Sequence, residues 1–277
     1  MHSSDGLHRP VHPRNGDVQG DFLTWSPLQL RHACRNREWM LGTAGMVPGF
    51  VQTNFVALPR ALAFEFIGFC IRNPRPCPVL DVTQPGNYEP CATAPGADLR
   101  SDLPAYVIYR NGEVVERVED IRKYWEDDFV GVLLGCSFTF ERALQEAGLP
   151  VRHIDDQRTV PMYRTLVKCE SFGVFSANLV VSMRPMTREQ ARRAYMITSG
   201  YHLAHGAPVS IGNPESLGIE CLDKPDFGDP PRLEPGEIPV FWACGVTSQE
   251  AIRSAKPDIA IAHAPGHMFV TDLPSAS

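Results

Sequence analysis

Two histidines, His263 and His267, flank a Pro-Gly pair in "IAHAPGHMFVTD" near the C-terminus. A His-x3-His pair binds zinc when both rings share one face of a helix, a turn apart. Pro265 and Gly266 argue against that helix, because proline removes a backbone donor and pushes the residue before it out of the α region. The spacing predicts a turn at the end of a strand, where one or both imidazoles could serve as acid or base near neutral pH.

Four further stretches carry polar groups that chemistry could use. In "GFVQTN" (49–54), Gln52 and Asn54 have the same parity on a strand and point to one face. Buried amides need partners, which a substrate can supply, although a polar edge strand explains the pattern equally well. In "PGADLRSDLP" (95–104), Asp98, Arg100 and Asp102 alternate along a loop. Arg100 either forks onto a carboxylate substrate or pairs with its acidic neighbours and braces the loop, and the spacing favours the brace. In "GCSFTFERAL" (135–144), a small-residue turn opens a helix whose backbone N–H groups would favour an anion or the thiolate of Cys136. Ser137 there reads as a helix cap rather than a nucleophile, since the G-x-S-x-G elbow is missing. "FWACGVT" (241–247) brings Cys244 and Thr247 to a strand end, as the first stretch does His263 and His267. Arg164 in "VPMYRT", Arg184 in "SMRP" and His205 in "HGAPVSIG" complete the candidates, and Asp226 and Asp229 in "DFGDP" read as metal oxygens or turn residues.

Positioning these groups takes an alternating set of elements. Ser26-Pro27 is a good helix start, so 26–41 reads as a helix. A glycine-punctuated segment turns strand-like before 58, a helix follows Pro59 to about 72, and a short buried strand follows 73–78. Residues 84–104 read as a long loop, and 105–118 as two alternating strands around Asn111-Gly112, the strongest short hairpin signal. Helices are expected over 137–150 and 187–201, and "DIRKYW" could start another. Strands are expected over 177–186, 236–247 and 258–266, with a short helix at 248–255.

The strand, helix, strand order of the last third predicts a parallel α/β sheet, and the hairpin region an antiparallel α+β module. The expected fold class is α/β: a mainly parallel α/β sandwich domain (21–80 and 186–277), an inserted smaller α+β module (81–185) and a flexible tail (1–20). Strand ends of a parallel sheet are where ligands bind, which would gather Cys244, Thr247, His263 and His267. No internal repeat and no low-complexity block is evident.

Composition narrows the function classes. A net charge of −6 argues against a general nucleic-acid binder. No apolar run approaches the ~20 residues of a membrane span. The polar start lacks the apolar core of a secretory signal and carries acids that disfavour a transit peptide, so the expected location is the cytoplasm. The eight cysteines are then reduced thiols, and with no C-x-x-C pair a structural zinc site is not expected. No P-loop or G-x-G-x-x-G follows a strand.

Taken together, "GFVQTNFVALP", "RNPRPCPVLDV", "APGADLRSDLPAYVIYRNGE", "GCSFTFERAL", "VPMYRT", "VSMRP", "HGAPVSIG", "PVFWACGVT" and "AHAPGHMFVTD" resemble the bacterial hydro-lyase family related to vertebrate D-glutamate cyclase. The resemblance runs from about residue 20 to 273. It implies a lyase without cofactor that removes water from a small amino or hydroxy acid, with D-glutamate cyclising to 5-oxo-D-proline as the example. Such a reaction needs an arginine for the substrate carboxylate (Arg100, Arg164 or Arg184) and a base for the amine (His263 or His267, with His205 in reserve). It also needs donors for the developing oxyanion: Gln52, Asn54 and the backbone near Gly135 and Cys136. The alternatives are a metal-assisted lyase using His263, His267 and Asp272 or Asp98, and a non-catalytic binder of small carboxylates. The expected partner is a small carboxylate substrate, with no nucleic acid or membrane, and a homo-oligomer is the default assembly.

Overall fold

The computed structural model describes residues 24–275; the expected tail over 1–20 lies outside the described residues. Helix α1 (Pro27–Arg35) starts as its sequence indicates, with Ser26 and Gln29 forming a reciprocal capping box. It ends earlier than expected, at Asn36. The strands β1 (Phe50–Pro59), β2 (Val79–Val82), β3 (Tyr106–Arg110), β4 (Glu113–Val118), β5 (Phe129–Gly135), β10 (Ala260–His263) and β11 (Phe269–Pro274) form one sheet. Its order is β2-β5-β1-β10-β3-β4, with β11 also on β1. The strands β6 (Met162–Lys168), β7 (Asn178–Met186), β8 (Ser210–Ile211) and β9 (Ile238–Ala243) form a second sheet, ordered β6-β7-β9-β8.

Every pairing in both sheets is antiparallel, so the chain is mixed α/β and the parallel sandwich is not formed. The reason lies in α6 (Val246–Ala255), which joins β9 of the second sheet to β10 of the first. Strand, helix and strand follow one another in sequence, but the helix carries the chain between sheets instead of back to its own. Within the 81–185 segment, β5 pairs with β1, β3 with β10 and β4 with β3, all in the larger sheet, while β6 and β7 belong to the smaller one. The hairpin is as read: Asn111 and Gly112 take positive φ between paired Arg110 and Glu113. "DIRKYW" forms turns rather than a helix.

Both faces of the larger sheet are buried, which its near-continuous apolar strands require. One face (Val56, Leu58, Val130, Val132) packs against α2 (Arg60–Arg72) and α6. The other (Phe55, Ala57, Ile108, Leu133) is covered by the 84–104 loop through Ala94, Ala97 and Leu99. On the smaller sheet, Val240, Trp242 and Met186 pack against α3 (Phe138–Glu146) and α5 (Arg188–Thr198).

The structure contains a repetition that the sequence reading did not find. β5 runs into Cys136 and α3, and β9 runs into Cys244 and α6. Each helix follows a strand of one sheet and packs on the other sheet. The same side chain locks each junction: Thr139 Oγ1 accepts the Gln52 N–H of β1 at 3.1 Å, and Thr247 Oγ1 accepts the Val180 N–H of β7 at 3.0 Å. The Phe138 and Val246 N–H groups point back at the thiols of Cys136 and Cys244, two residues earlier in each case. A polar residue one turn into each helix meets a histidine: Glu141 with His153, and Gln249 with His263.

Candidate active site

A cleft of about 490 Å³ lies between the 45–50 loop, the start of β1, α3 and Ile154. Its volume suits a small ligand. Gln52 and Glu141 line it, and both are almost wholly buried, at 3% and 1% exposure. Gln52 Nε2 donates to the carbonyls of Thr43 (2.9 Å) and Met46 (3.1 Å). That fixes the amide orientation and leaves Oε1 without a partner. Glu141 Oε2 is likewise buried and unpartnered. Two acceptors left unsatisfied beside one cleft are costly unless a ligand or water supplies donors.

Behind Glu141 stands a buried cation. Arg184 Nη2 donates to Glu141 Oε1 and, at 3.1 Å, to Ser137 Oγ, while Nη1 reaches Ser182 Oγ at 3.2 Å. Its guanidinium lies 5.3 Å from the ring centres of both Phe140 and Trp242, a pairing that compensates part of its lost hydration. His153, in the short helix α4 (Arg152–Asp155), places Nε2 2.9 Å from Glu141 Oε1 but out of hydrogen-bond alignment, and stacks on Phe138. Burial alone would raise the Glu141 carboxyl, but His153 and Arg184 beside it hold it below the usual carboxylate range. It stays ionised at neutral pH and can hold a cation at the cleft floor.

The candidates read from sequence fall into three groups. Gln52 and Arg184 belong to the cleft and the network behind it. Asn54, Cys136 and Cys244 meet where the two helices start, and His205 follows the short 202–204 turn that packs on Gly135. Asn54 Nδ2 donates to Gly135 O at 2.7 Å, and its amide lies so close to Gly245 that a side chain there would collide at 2.0 Å. Both thiols are buried in apolar surroundings. That pushes Cys136 far up and Cys244 up to about 11, so neither is a thiolate nucleophile at neutral pH. His205 is buried, bonds the Arg75 carbonyl through Nδ1 at 2.7 Å, and is lowered to about 4 by that burial.

The remaining candidates are engaged elsewhere. Arg100 forks onto Asp98 at 2.9 Å and lies over Tyr88, which is the loop brace. Arg164 pairs with Asp226 and Glu250 on the surface. His267 contacts Arg117 at 3.0 Å. His263 is 1% exposed and sits where β1 leaves β10 for β11; its Nδ1 lies 3.1 Å from the Phe55 N–H and 3.2 Å from the Phe55 carbonyl. Its ring thus satisfies one backbone group that the fork between β10 and β11 would orphan, accepting the N–H in one tautomer or donating to the carbonyl in the other. Burial lowers it to about 4. Asp272 binds Arg31 at 2.9 Å, so the proposed metal set of His263, His267, Asp272 or Asp98 is dispersed among other partners. No group of three metal-binding side chains occurs among the described residues, nor is any described helix long and apolar enough to cross a membrane.

The 264–267 turn nevertheless reaches the cleft indirectly. Gly266 O accepts the Thr43 N–H at 2.9 Å, and Thr43 Oγ1 accepts the Met268 N–H at 3.0 Å. Thr43 in turn offers its carbonyl to Gln52, so the turn anchors the loop that orients the cleft amide. The reading from sequence missed Glu141, His153 and Thr139. A signal for Glu141 existed: Ser137, Phe140, Glu141 and Leu144 follow helical spacing on one face, which puts an acid on the buried side of α3.

A family model described as D-glutamate cyclase matches residues 130–272. That span contains Glu141, His153 and Arg184, while Gln52 precedes it. "Putative hydro-lyase GK2103" of Geobacillus kaustophilus is 56% identical over 248 residues, covering 90% of this chain and 94% of that protein. A protein of the same hydro-lyase name from Stutzerimonas stutzeri is 54% identical over 90% of this chain and 94% of its own length. One from Natranaerobius thermophilus is 52% identical, with 90% and 97% covered. The chain is therefore an enzyme of the lyase class and belongs to the D-glutamate cyclase family.

Proposed function

We propose that this enzyme withdraws water from a small acidic amino acid, cyclising D-glutamate to 5-oxo-D-proline in the cleft floored by Gln52 and Glu141. The observation that carries this reading is the pair of buried, unpartnered oxygens, Gln52 Oε1 and Glu141 Oε2, one of them on a carboxylate kept ionised. Such a pair is complementary to an ammonium group, which donates in three directions and brings the opposite charge. A hydroxy acid would offer one donor in place of three and no positive charge. Arg142 lies at the same cleft, beside Glu146 at 2.7 Å, where it can take up a substrate carboxylate.

In the reaction the amine nitrogen attacks the γ-carboxyl carbon. One C–N bond forms, one C–O bond breaks, and the nitrogen gives up two protons. The departing oxygen takes up two protons in exchange and leaves as water. Holding nitrogen and carboxyl in the attack geometry is the main contribution a rigid floor can make, with Glu141 the nearest acceptor for a proton leaving the nitrogen.

The test is proton NMR of the purified protein with D- and L-glutamate, followed for 5-oxoproline. Conversion of D-glutamate, lost in Glu141→Gln, is the expected result. Binding of D-glutamate without any product would replace this reading with a carboxylate sensor. Turnover of hydroxy acids only would leave the ammonium argument without support.

A further inference from the structure

Glu141 is poorly suited to keep a proton, because the buried Arg184 guanidinium beside it favours its ionised form. A proton taken from the substrate amine must therefore pass on. The adjacent group is His153, at 2.9 Å, and its surroundings differ from those of the cleft. While Ile154 lines the cleft, His153 lines a second, separate pocket on the other side, with Arg152, Asp156, Arg158, Thr159 and Asp229 among its walls. That pocket measures about 20 Å³, room for a single water. The Glu141–His153 pair thus spans the wall between a ligand-sized cleft and a water-sized pocket.

We propose that His153 is a positioning residue that takes the proton from Glu141 and exchanges it with solvent through the second pocket, not through the substrate cleft. This rests on the cleft being the reaction site. A separate route lets the carboxylate pass on the amine proton and receive one back for the departing oxygen while substrate fills the cleft and excludes water from it. The charged groups that face His153 are Glu141 from α3 and Arg184 behind it on β7. Around the pocket stand Arg152, Asp156, Arg158, Asp229 and Arg232. Arg152 is bound to Glu237 and Arg232 lies near Asp156 and Glu234, while Asp229 accepts the Thr159 N–H. These cations are largely offset, which leaves His153 and water as the mobile proton carriers. The misalignment between His153 and Glu141 does not oppose such a role, since catalytic hydrogen bonds tighten when substrate binds.

The relay is tested by two independent readings. First, His153→Ala is expected to lose about 100-fold in kcat with KM changed less than about threefold. Added imidazole should restore about tenfold, and methylimidazoles of different basicity should give rates that follow their proton affinity. A purely structural ring would give no dependence on basicity, and kcat kept within about threefold would overturn the proposal. Second, the solvent exchange of the His153 ring N–H is followed by NMR in wild type, in Thr159→Trp and in Pro231→Trp, which fill the second pocket from two sides. Exchange slowed by either variant supports the route, and exchange unchanged in both overturns it. This second reading needs no turnover. If wild type converts no amino acid while filling the pocket still slows exchange, the cyclase reading fails and the proton route stands.

Discussion

The two strand-to-helix junctions of this chain share a backbone plan and differ in what they enclose. Around α3 the polar chain is charged: Glu141, Arg184 and His153, with one carboxylate oxygen unpartnered at a cleft. Around α6 the corresponding chain is neutral. Gln249 donates to the His263 carbonyl at 3.1 Å and accepts from Tyr109 Oη at 2.9 Å, and His263 is held uncharged by burial. Gln249, Tyr109 and His263 all find partners there. One junction is thus finished by its own hydrogen bonds, and the other is left incomplete for a ligand. The difference is one carboxylate against one carboxamide at matching positions, each five residues beyond a cysteine that receives the second N–H after it.

Exchanging those two residues breaks the comparison most directly. Glu141→Gln should abolish turnover by about 100-fold or more and, by leaving Arg184 buried without its counter-charge, lower stability by about 3–5 kcal/mol. NMR turnover and urea unfolding check both, and a fully active Glu141→Gln would remove the charged junction from the mechanism. The reverse change, Gln249→Glu, buries a carboxylate beside a neutral histidine and should cost roughly 3 kcal/mol. Urea midpoints below those of wild type are expected, with the folded enzyme still active.

Acid sharpens the contrast next. His263 and His205 have folded values near 4 against about 6.5 when unfolded. Between those two values the unfolded chain binds protons that the folded chain refuses, so stability rises with pH across the window and falls as pH drops from about 6.5 toward 4. Full passage is worth up to roughly 3 kcal/mol per histidine. Chemical denaturation at pH 7 and pH 4.5 should show a smaller acid loss in His263→Gln than in wild type. An equal loss would place the acid sensitivity elsewhere.

The smallest effect tests the likeness rather than the difference. Thr139→Val and Thr247→Val each remove a hydroxyl that pairs a buried strand N–H. Each should cost about 1–2 kcal/mol, and the two costs should agree closely. A large disparity would mean that the junctions are alike only in outline.

Local signals in the sequence were sufficient for most elements. Ser26-Pro27, Asn111-Gly112, Thr187 and the Pro59 helix start all sit where their turn and cap chemistry indicates. The direction of the strands was not legible, because nothing local distinguishes a helix that returns to its own sheet from one that crosses to another. For the same reason, Cys244 and His263, thought to share one sheet edge, lie on different sheets. In the site, Gln52 and Arg184 were visible as polar residues on apolar strands. Glu141 was hidden by its setting among the ordinary charges of "FERALQE", and only its phase relative to Phe140 and Leu144 marks it as buried. The histidines flanking the Pro-Gly turn attracted attention by type, whereas His263 serves the Phe55 backbone and Thr43 is held by Gly266 and Met268.

The position of β1 between β5, β10 and β11 has a further consequence for how the protein is made. Phe55 depends on a histidine 208 residues later, and Arg31 on a backbone carbonyl 239 residues later. During synthesis on the ribosome, Phe55 of β1 emerges 208 residues before His263 of β10. The β10 side of β1 stays unpaired throughout that interval, which favours slow, late folding and a need for chaperone shielding. The cleft floor at Gln52, oriented by a loop that the final strands anchor, is accordingly among the last parts of the enzyme to take shape.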